Sequence, residues 1–276
     1  MTELEFTGER VVPNRTPYAI YQEHMNRYAC ASGFAKGKII LDVACGTGYG
    51  SAYLLEKGAR EVVGLDKSVS AIHYAKEQYD DKKLSFVRGD AIALPFTHEY
   101  FDVIVSFETI EHLKDHTRFL SECKRVLKNG GLFICSTPNK RISSPHTEKP
   151  ANRFHVREFY PEEFLSLLGE YFIDIRLYGQ QDMNLLERRM RWVVARTLSI
   201  VPGGRVIKNL AKRVSPNQNP SIKNSSSGVN RILEQALDKN YRVGEFKNNP
   251  IKASAYMIAI AEKGRKVDRS EHGERT

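Results

Sequence analysis

Short apolar runs punctuate the first half of the chain at near-regular intervals: IILDV at 39–43, VVGLD at 62–66, LSFVR at 84–88, FDVIVS at 101–106 and GLFICST at 131–137. Runs that stay apolar rather than alternating predict strands buried on both faces, as in a parallel sheet between helical layers. The intervening segments read as helices over 48–57, 69–79 and 115–127, with Ser68 as N-cap of the second and Asn129-Gly130-Gly131 as the stop of the third. Another helix is expected over 17–34, with Thr16 as N-cap and Pro17 in its first turn. Beyond a Pro-, His- and Arg-rich loop at 138–160, a short helix starts near Pro161 and a strand covers 171–178. SAYMIAIAE (254–262) is a last, mostly apolar strand. Alternating strand and helix define an α/β fold.

The connection before that last strand is far longer than usual. Apolar positions Leu186, Met190, Val193, Val194, Thr197 and Val201 recur at helical spacing, Pro202-Gly203-Gly204 interrupts, and a second helical pattern follows from Val206 to Val214. SPNQNPSIKNSSSGVN (215–230) has linker composition, and the charged tail from Lys263 that of a disordered end. The organisation expected is therefore an N-terminal segment and helix (1–35), a core (36–180), a basic helical insertion with linker (181–250), the last core strand (251–262) and a tail (263–276).

Charge sharpens the view of the insertion. The chain carries +9, and 183–213 alone holds eight basic residues against one acid. Two basic amphipathic helices with Trp192 suit a lid over the core or a peripheral surface on anionic lipid. A nucleic-acid face is disfavoured, because aromatics for base stacking are sparse there. No run reaches the ~20 apolar residues of a membrane span, and MTELEFTGER lacks signal-peptide character. Cys30, Cys45, Cys123 and Cys135 are scattered without a C-x-x-C pair, which suits reduced thiols in a cytoplasm and argues against a disulfide framework. No segment shows metal-ligand spacing, so no metal is expected.

The first strand runs into a glycine-rich turn, ACGTGYGS (44–51). Such a turn brings bare backbone against a ligand at a helix start. Asp66 at the tip of the second strand can accept both hydroxyls of a ribose, and Asp90-Ala91 after the third can meet a base. The pattern describes an adenosine-type pocket. The dinucleotide fingerprint G-x-G-x-x-G is imperfect here, since Gly46 and Gly48 are followed by Ser51 where a third glycine belongs. Asp42, aimed at the turn, would repel a pyrophosphate and suits a ligand bearing a positive amino group. S-adenosylmethionine, which has an ammonium, a sulfonium and no phosphate, fits better.

With these residues the sequence resembles the class I S-adenosylmethionine-dependent methyltransferases. LDVACGTG, VVGLD and GDAIALPF (89–96) are similar to their first three motifs, and FDVIVSFETIEHL (101–113) and RVLKNGGLFICSTPN (125–139) to their fourth and fifth strands; the resemblance covers 36–180 and resumes at the last strand. It implies a Rossmann-like, seven-stranded, mostly parallel sheet with an antiparallel last strand and helices on both faces. It also implies an N-terminal helical lid with His24 and Arg27 facing inward. The resemblance places Gly46 and Gly48, flanked by Ala44 and Tyr49, against the methionine moiety, with Asp42 beside it and Phe107 and Glu108 lining the same side. Asp66 and Lys67 fall at the ribose, Asp90 and Ala91 at the adenine. FTGERVVP (6–13), YQEHMNRYA (21–29) and NRFHVREF (152–159) resemble a bacterial subgroup associated with surface-polysaccharide and sugar modification.

Methyl transfer needs the acceptor atom held about 3 Å from the methyl with water excluded, and a hydroxyl acceptor also needs a base. Histidine, with an unperturbed pKa of about 6.5, is the natural candidate. His155, in the loop after the fifth strand with Arg153 and Arg157, and His112, after the fourth, are the expected catalytic residues. His146 ranks below them; His73, His98 and His116 read as surface residues. The expected activity is O-methylation of a saccharide, such as a nucleotide sugar or lipid-linked glycan, by a cytoplasmic enzyme whose insertion lies at the inner membrane face. A lipophilic or quinone-like acceptor and a non-catalytic S-adenosylmethionine-binding or RNA-associated protein are the alternatives.

Overall fold

The computed structural model describes residues 10–13, 15–145, 147–180, 243–245 and 254–264. Helix α1 (Tyr18–Ser32) leads into β1 (Ile39–Val43), α2 (Tyr49–Glu56), β2 (Glu61–Asp66), α3 (Val69–Gln78), β3 (Leu84–Arg88) and β4 (Phe101–Phe107). A 3₁₀ turn (Ile110–His112) precedes α4 (His116–Val126), β5 (Leu127–Pro138), α5 (Lys140–Ser143), α6 (Pro161–Gly169), β6 (Ile173–Gln180), β7 (Val243–Glu245) and β8 (Tyr256–Glu262).

The strands form one sheet in the order β3-β2-β1-β4-β5-β8-β6-β7. β1 to β5 pair in parallel, and β8 runs antiparallel between β5 and β6. The expected sheet is present, and β7 adds an eighth, three-residue edge strand on β6, inside 181–250 where no strand pattern is visible. All five residues of β1 are buried, which accounts for its unbroken apolar run. One core layer joins Phe119, Leu120, Phe159 and Phe164 against one face; the other joins Met25, Tyr28, Tyr53 and Phe86 against the opposite face. Strand order reverses between β1 and β4, so the connections diverge there and open a crevice at the carboxyl ends of the strands.

Several expected details differ. Ser68 caps α3, accepting from Ala71 N at 3.3 Å, but Thr16 does not cap α1. Its hydroxyl accepts from Val12 N at 2.8 Å instead, and Pro17 takes the cap position. Asn129-Gly130-Gly131 is not a helix stop: α4 ends at Val126 and these residues already belong to β5. They are drawn into the sheet by Lys263, with Gly130 N donating to Lys263 O at 2.8 Å and Lys263 N to Gly131 O at 2.9 Å. Lys263 is accordingly buried rather than the start of a free tail, its Nζ donating to Leu127 O at 2.7 Å. His116 is half-buried against Phe159 rather than on the surface. The four cysteines are free thiols, and no helix among the described residues is long and apolar enough to cross a membrane. The basic helices of 183–214, the linker at 215–230, most of the charged tail and His146 lie outside the described residues.

Candidate active site

A cavity of about 620 Å³ opens at the switch point, walled by the tips of β1 to β5, by α1, by Arg10-Val11 and by Ala255-Tyr256. Its floor follows from the glycine turn. Gly48, the N-cap of α2, has φ +80°, and a Cβ there would stand 2.7 Å from the Phe86 ring; only glycine lets the chain turn this tightly over β3. Ala44 at the end of β1 (φ 60°) and Glu108 after β4 (φ 51°) adopt the same left-handed region without being glycines. Each such residue stores on the order of 1–3 kcal/mol of strain. Both line the cavity, so the strain sits where a ligand docks.

Asp66 faces the cavity and also ties the turn together. Its Oδ2 accepts from Gly46 N at 3.0 Å and its Oδ1 from Ser68 N at 2.8 Å. Lys67, Asp90 and Ala91 stand beside it on the wall, with Tyr49, Gly46 and Ala44 at the turn and Phe107 and Glu108 opposite. Three expected cofactor residues do not line the cavity. Gly48 shapes the turn from behind. Asp42 is wholly buried under it, accepting from Ser51 Oγ at 2.6 Å and from Tyr28 Oη at 3.2 Å to each oxygen. Burial pushes the Asp42 carboxyl up to about 7, against the Ser51 and Tyr28 hydrogen bonds that favour the charged form. The sequence placed Asp42 against the ligand because it ends a strand; in the fold, Tyr28 of α1 covers it.

Arg27 is likewise fully buried. Its Nε donates to Gln180 Oε1 at 2.9 Å and lies 3.9 Å from Glu108 Oε1, and its guanidinium stacks 4.2 Å from the centre of the Tyr256 ring. Burial opposes its charge, but Glu108, Tyr256 and Glu23 outweigh burial and hold it cationic. It braces Glu108 from behind rather than forming the wall. Its lid partner His24 does reach the cavity.

At the far end the fold joins two loops. Glu111 O accepts from Val156 N at 2.7 Å and from Arg157 N at 3.1 Å, and His112 Nδ1 meets Phe154 O at 2.9 Å. This stitches the turn after β4 to the loop after β5 and sets the rings of His112 and His155 edge to face, centres 4.9 Å apart. His155 Nδ1 lies 2.7 Å from Glu158 Oε1, and Ser143 Oγ donates to Glu158 Oε2 at 2.5 Å. Burial opposes the Glu158 charge, but these hydrogen bonds overcome it and hold the carboxyl below its usual value. The two histidines chosen from sequence therefore come together, and both line the cavity. Sequence reasoning missed Glu158, which orients His155. The signal was present three residues downstream of that histidine, but a carboxylate in a charged loop has no distinctive spacing. It also missed Glu111, which the structure groups with His112 and His155: one ligand-type atom from each lies within 4.8 Å of the others.

The wall fits S-adenosylmethionine. Asp66, Asp90, Glu108 and Glu23 outnumber Arg10 and Lys67, a balance for a cationic ligand without phosphate, and the volume falls in the range of small-molecule sites.

Comparisons agree with this geometry. Residues 41–135 match the family model described as Methyltransferase domain. The chain is 38% identical over 173 residues to a probable S-adenosylmethionine-dependent methyltransferase of Mycolicibacterium smegmatis, covering 60% of this chain and 63% of that protein. It is 31% identical over 135 residues to a fatty-acid O-methyltransferase of the same organism, covering 46% and 49%. The chain thus spans less than two thirds of these relatives' lengths. In fold it is similar to a SAM-dependent methyltransferase from Thermotoga maritima, with a TM-score of 0.55 at 17% identity, covering 88% and 89%. Residues 41–135 thus match a methyltransferase-domain model, on a fold similar to that of S-adenosylmethionine-dependent methyltransferases.

Proposed function

We propose that the chain catalyses S-adenosylmethionine-dependent O-methylation of a saccharide hydroxyl. The observation that carries a hydroxyl acceptor is the pair His112 and His155 on the cavity lining, the second oriented by buried Glu158. When bound, S-adenosylmethionine supplies a methyl group on a sulfonium, whose thioether is a good leaving group. Asp66 and Asp90 hold the adenosine end, and α1 with Arg10-Val11 excludes water from one side. His155 Nε2 keeps a lone pair because Nδ1–H is given to Glu158; an acceptor hydroxyl that replaces Asn152 Nδ2, 2.9 Å away, gives its proton to that lone pair as the oxygen–methyl bond forms and the methyl–sulfur bond breaks. Such a base contributes about 10²–10⁴-fold.

Asn152, Ser143 and His24 add hydrogen-bonding groups to the wall, which favours a polyhydroxylated acceptor over a bare hydrocarbon chain. A second reading, a lipophilic acceptor presented at the inner membrane face, draws on the fatty-acid relative and on the basic segment 183–214. Transfer of labelled methyl into a cell extract, followed by butanol–water partition and mild deglycosylation, separates the two. Label in water, or in butanol but released by deglycosylation, supports a saccharide; label in butanol that resists it supports the lipid.

A further inference from the structure

The histidine end of the cavity holds more than a base. His112 Nδ1 faces the Phe154 carbonyl oxygen at 2.9 Å, and a carbonyl only accepts, so this nitrogen carries the hydrogen and Nε2 the lone pair. His155 Nδ1 faces the Glu158 carboxylate at 2.7 Å with the same consequence, and its Nε2 accepts from Asn152 Nδ2 at 2.9 Å. One imidazole is thus fixed by a backbone carbonyl and the other by a carboxylate, the two outer partners that characteristically orient metal-ligating histidines. Beside them stands Glu111, wholly buried, whose Oε2 accepts from Thr137 Oγ1 at 3.1 Å while its Oε1 has no hydrogen-bond partner. A buried carboxylate oxygen without a donor costs free energy that a cation would recover.

We propose that Glu111, His112 and His155 form a divalent-cation site at the acceptor end of the cavity, ligated by one carboxylate oxygen and two imidazole nitrogens. Two nitrogens in three ligands favour a transition-type cation such as Zn²⁺ over Mg²⁺ or Ca²⁺. The donor atoms lie within 4.8 Å of one another. Metal bonds of about 2.0–2.1 Å require separations of about 3.3 Å, so loading draws them in by up to about 1.5 Å and releases Asn152 from His155. Three protein ligands leave coordination positions open toward the cavity. The consequence for catalysis rests on the O-methylation reading. In the metal-loaded form an acceptor oxygen in an open position is acidified by the cation and its proton passes to water at the cavity mouth, with His155 as a ligand; in the metal-free form His155 remains the base.

The test is metal binding by the full-length chain, stripped with chelator and then titrated with Zn²⁺, Mn²⁺ or Mg²⁺ by calorimetry, with Co²⁺ absorption as a second readout. One Zn²⁺ per chain is expected, weakened at least ~10-fold by His112→Ala or His155→Ala and about 10–100-fold by Glu158→Gln, with S-adenosylmethionine affinity retained. Glu111→Gln tests the buried ligand, and thermal denaturation with and without Zn²⁺ shows whether that variant folds. No stoichiometric binding, or binding unaffected by both histidine variants, overturns the site. Methyl transfer to a hydroxyl that proceeds unchanged in chelator would leave O-methylation standing and remove the cation from it. A bound cation with methyl going to nitrogen would keep the site and overturn the acceptor reading.

Discussion

Asp42 gives the sharpest stability prediction, because its burial sets a sign as well as a size. The carboxyl is fully enclosed under the glycine turn, and burial lifts it from 3.8 to about 7. Between those values the folded chain holds a proton that the unfolded chain has released, so stability falls as pH rises through this window. The window spans about three pH units at about 1.4 kcal/mol each, a loss on the order of 4 kcal/mol. Asp42→Asn keeps the shape and cannot lose the proton. Urea unfolding of the ligand-free protein and this variant, from pH 4 to pH 8, measures both curves, and their difference cancels every other titrating group. The variant should gain on the wild type by several kcal/mol toward neutral pH and level off above about 7. Parallel curves would refute the reasoning and mean that Asp42 is ionised in the fold throughout.

Asp66→Ala removes the anchor of Gly46 and Ser68 together with the expected acceptor of the ribose hydroxyls. S-adenosylmethionine affinity by calorimetry should drop at least ~100-fold, since hydrogen bonds to a charged group contribute about 1.5–3 kcal/mol each; unchanged affinity would undo the pocket assignment. His155→Ala should cut turnover about 10²–10⁴-fold with the cofactor still bound, and full turnover would remove this histidine from the chemistry. Gly50→Ala would set a Cβ 1.9 Å from the Tyr28 ring. Overpacking at this level destabilises by about 1–3 kcal/mol or more, and a melting temperature equal to wild type would show that α1 moves freely on α2.

The strand-tip wall of the cavity was legible and the meeting of the two histidines was not, for a physical reason. Asp66, Asp90 and Ala91 are placed by the ends of their own strands, so an apolar run and its last polar residue locate them. The roles of Asp42 and Arg27 depend on what packs over them: Tyr28 and Ser51 in one case, Gln180 and Tyr256 in the other. Tyr28 and Ser51 reach Asp42 from the helices on either side of β1, and Gln180 and Tyr256 reach Arg27 from far along the chain, so neither set leaves a spacing to read. The two histidines could be nominated singly, but their meeting depends on contacts such as that from His112 to Phe154, 42 positions apart. Ala44 and Glu108 show the same limit, since nothing in an alanine or a glutamate announces a left-handed backbone.

The place of β8 in the sheet has a consequence for biosynthesis. Among the described residues β6 pairs with β8 and β7, and β5 has β8 as its second neighbour. When Gln180 leaves the ribosome, the strand that must separate β5 from β6 is still some 75 residues from being made, roughly 4–15 s at about 5–20 residues per second. Tyr256, on that late strand, is the platform for Arg27 and part of the cavity wall. The nascent chain thus closes its cavity only after that delay, and until then the open flank of β5 is the surface that chaperones or misfolding would find.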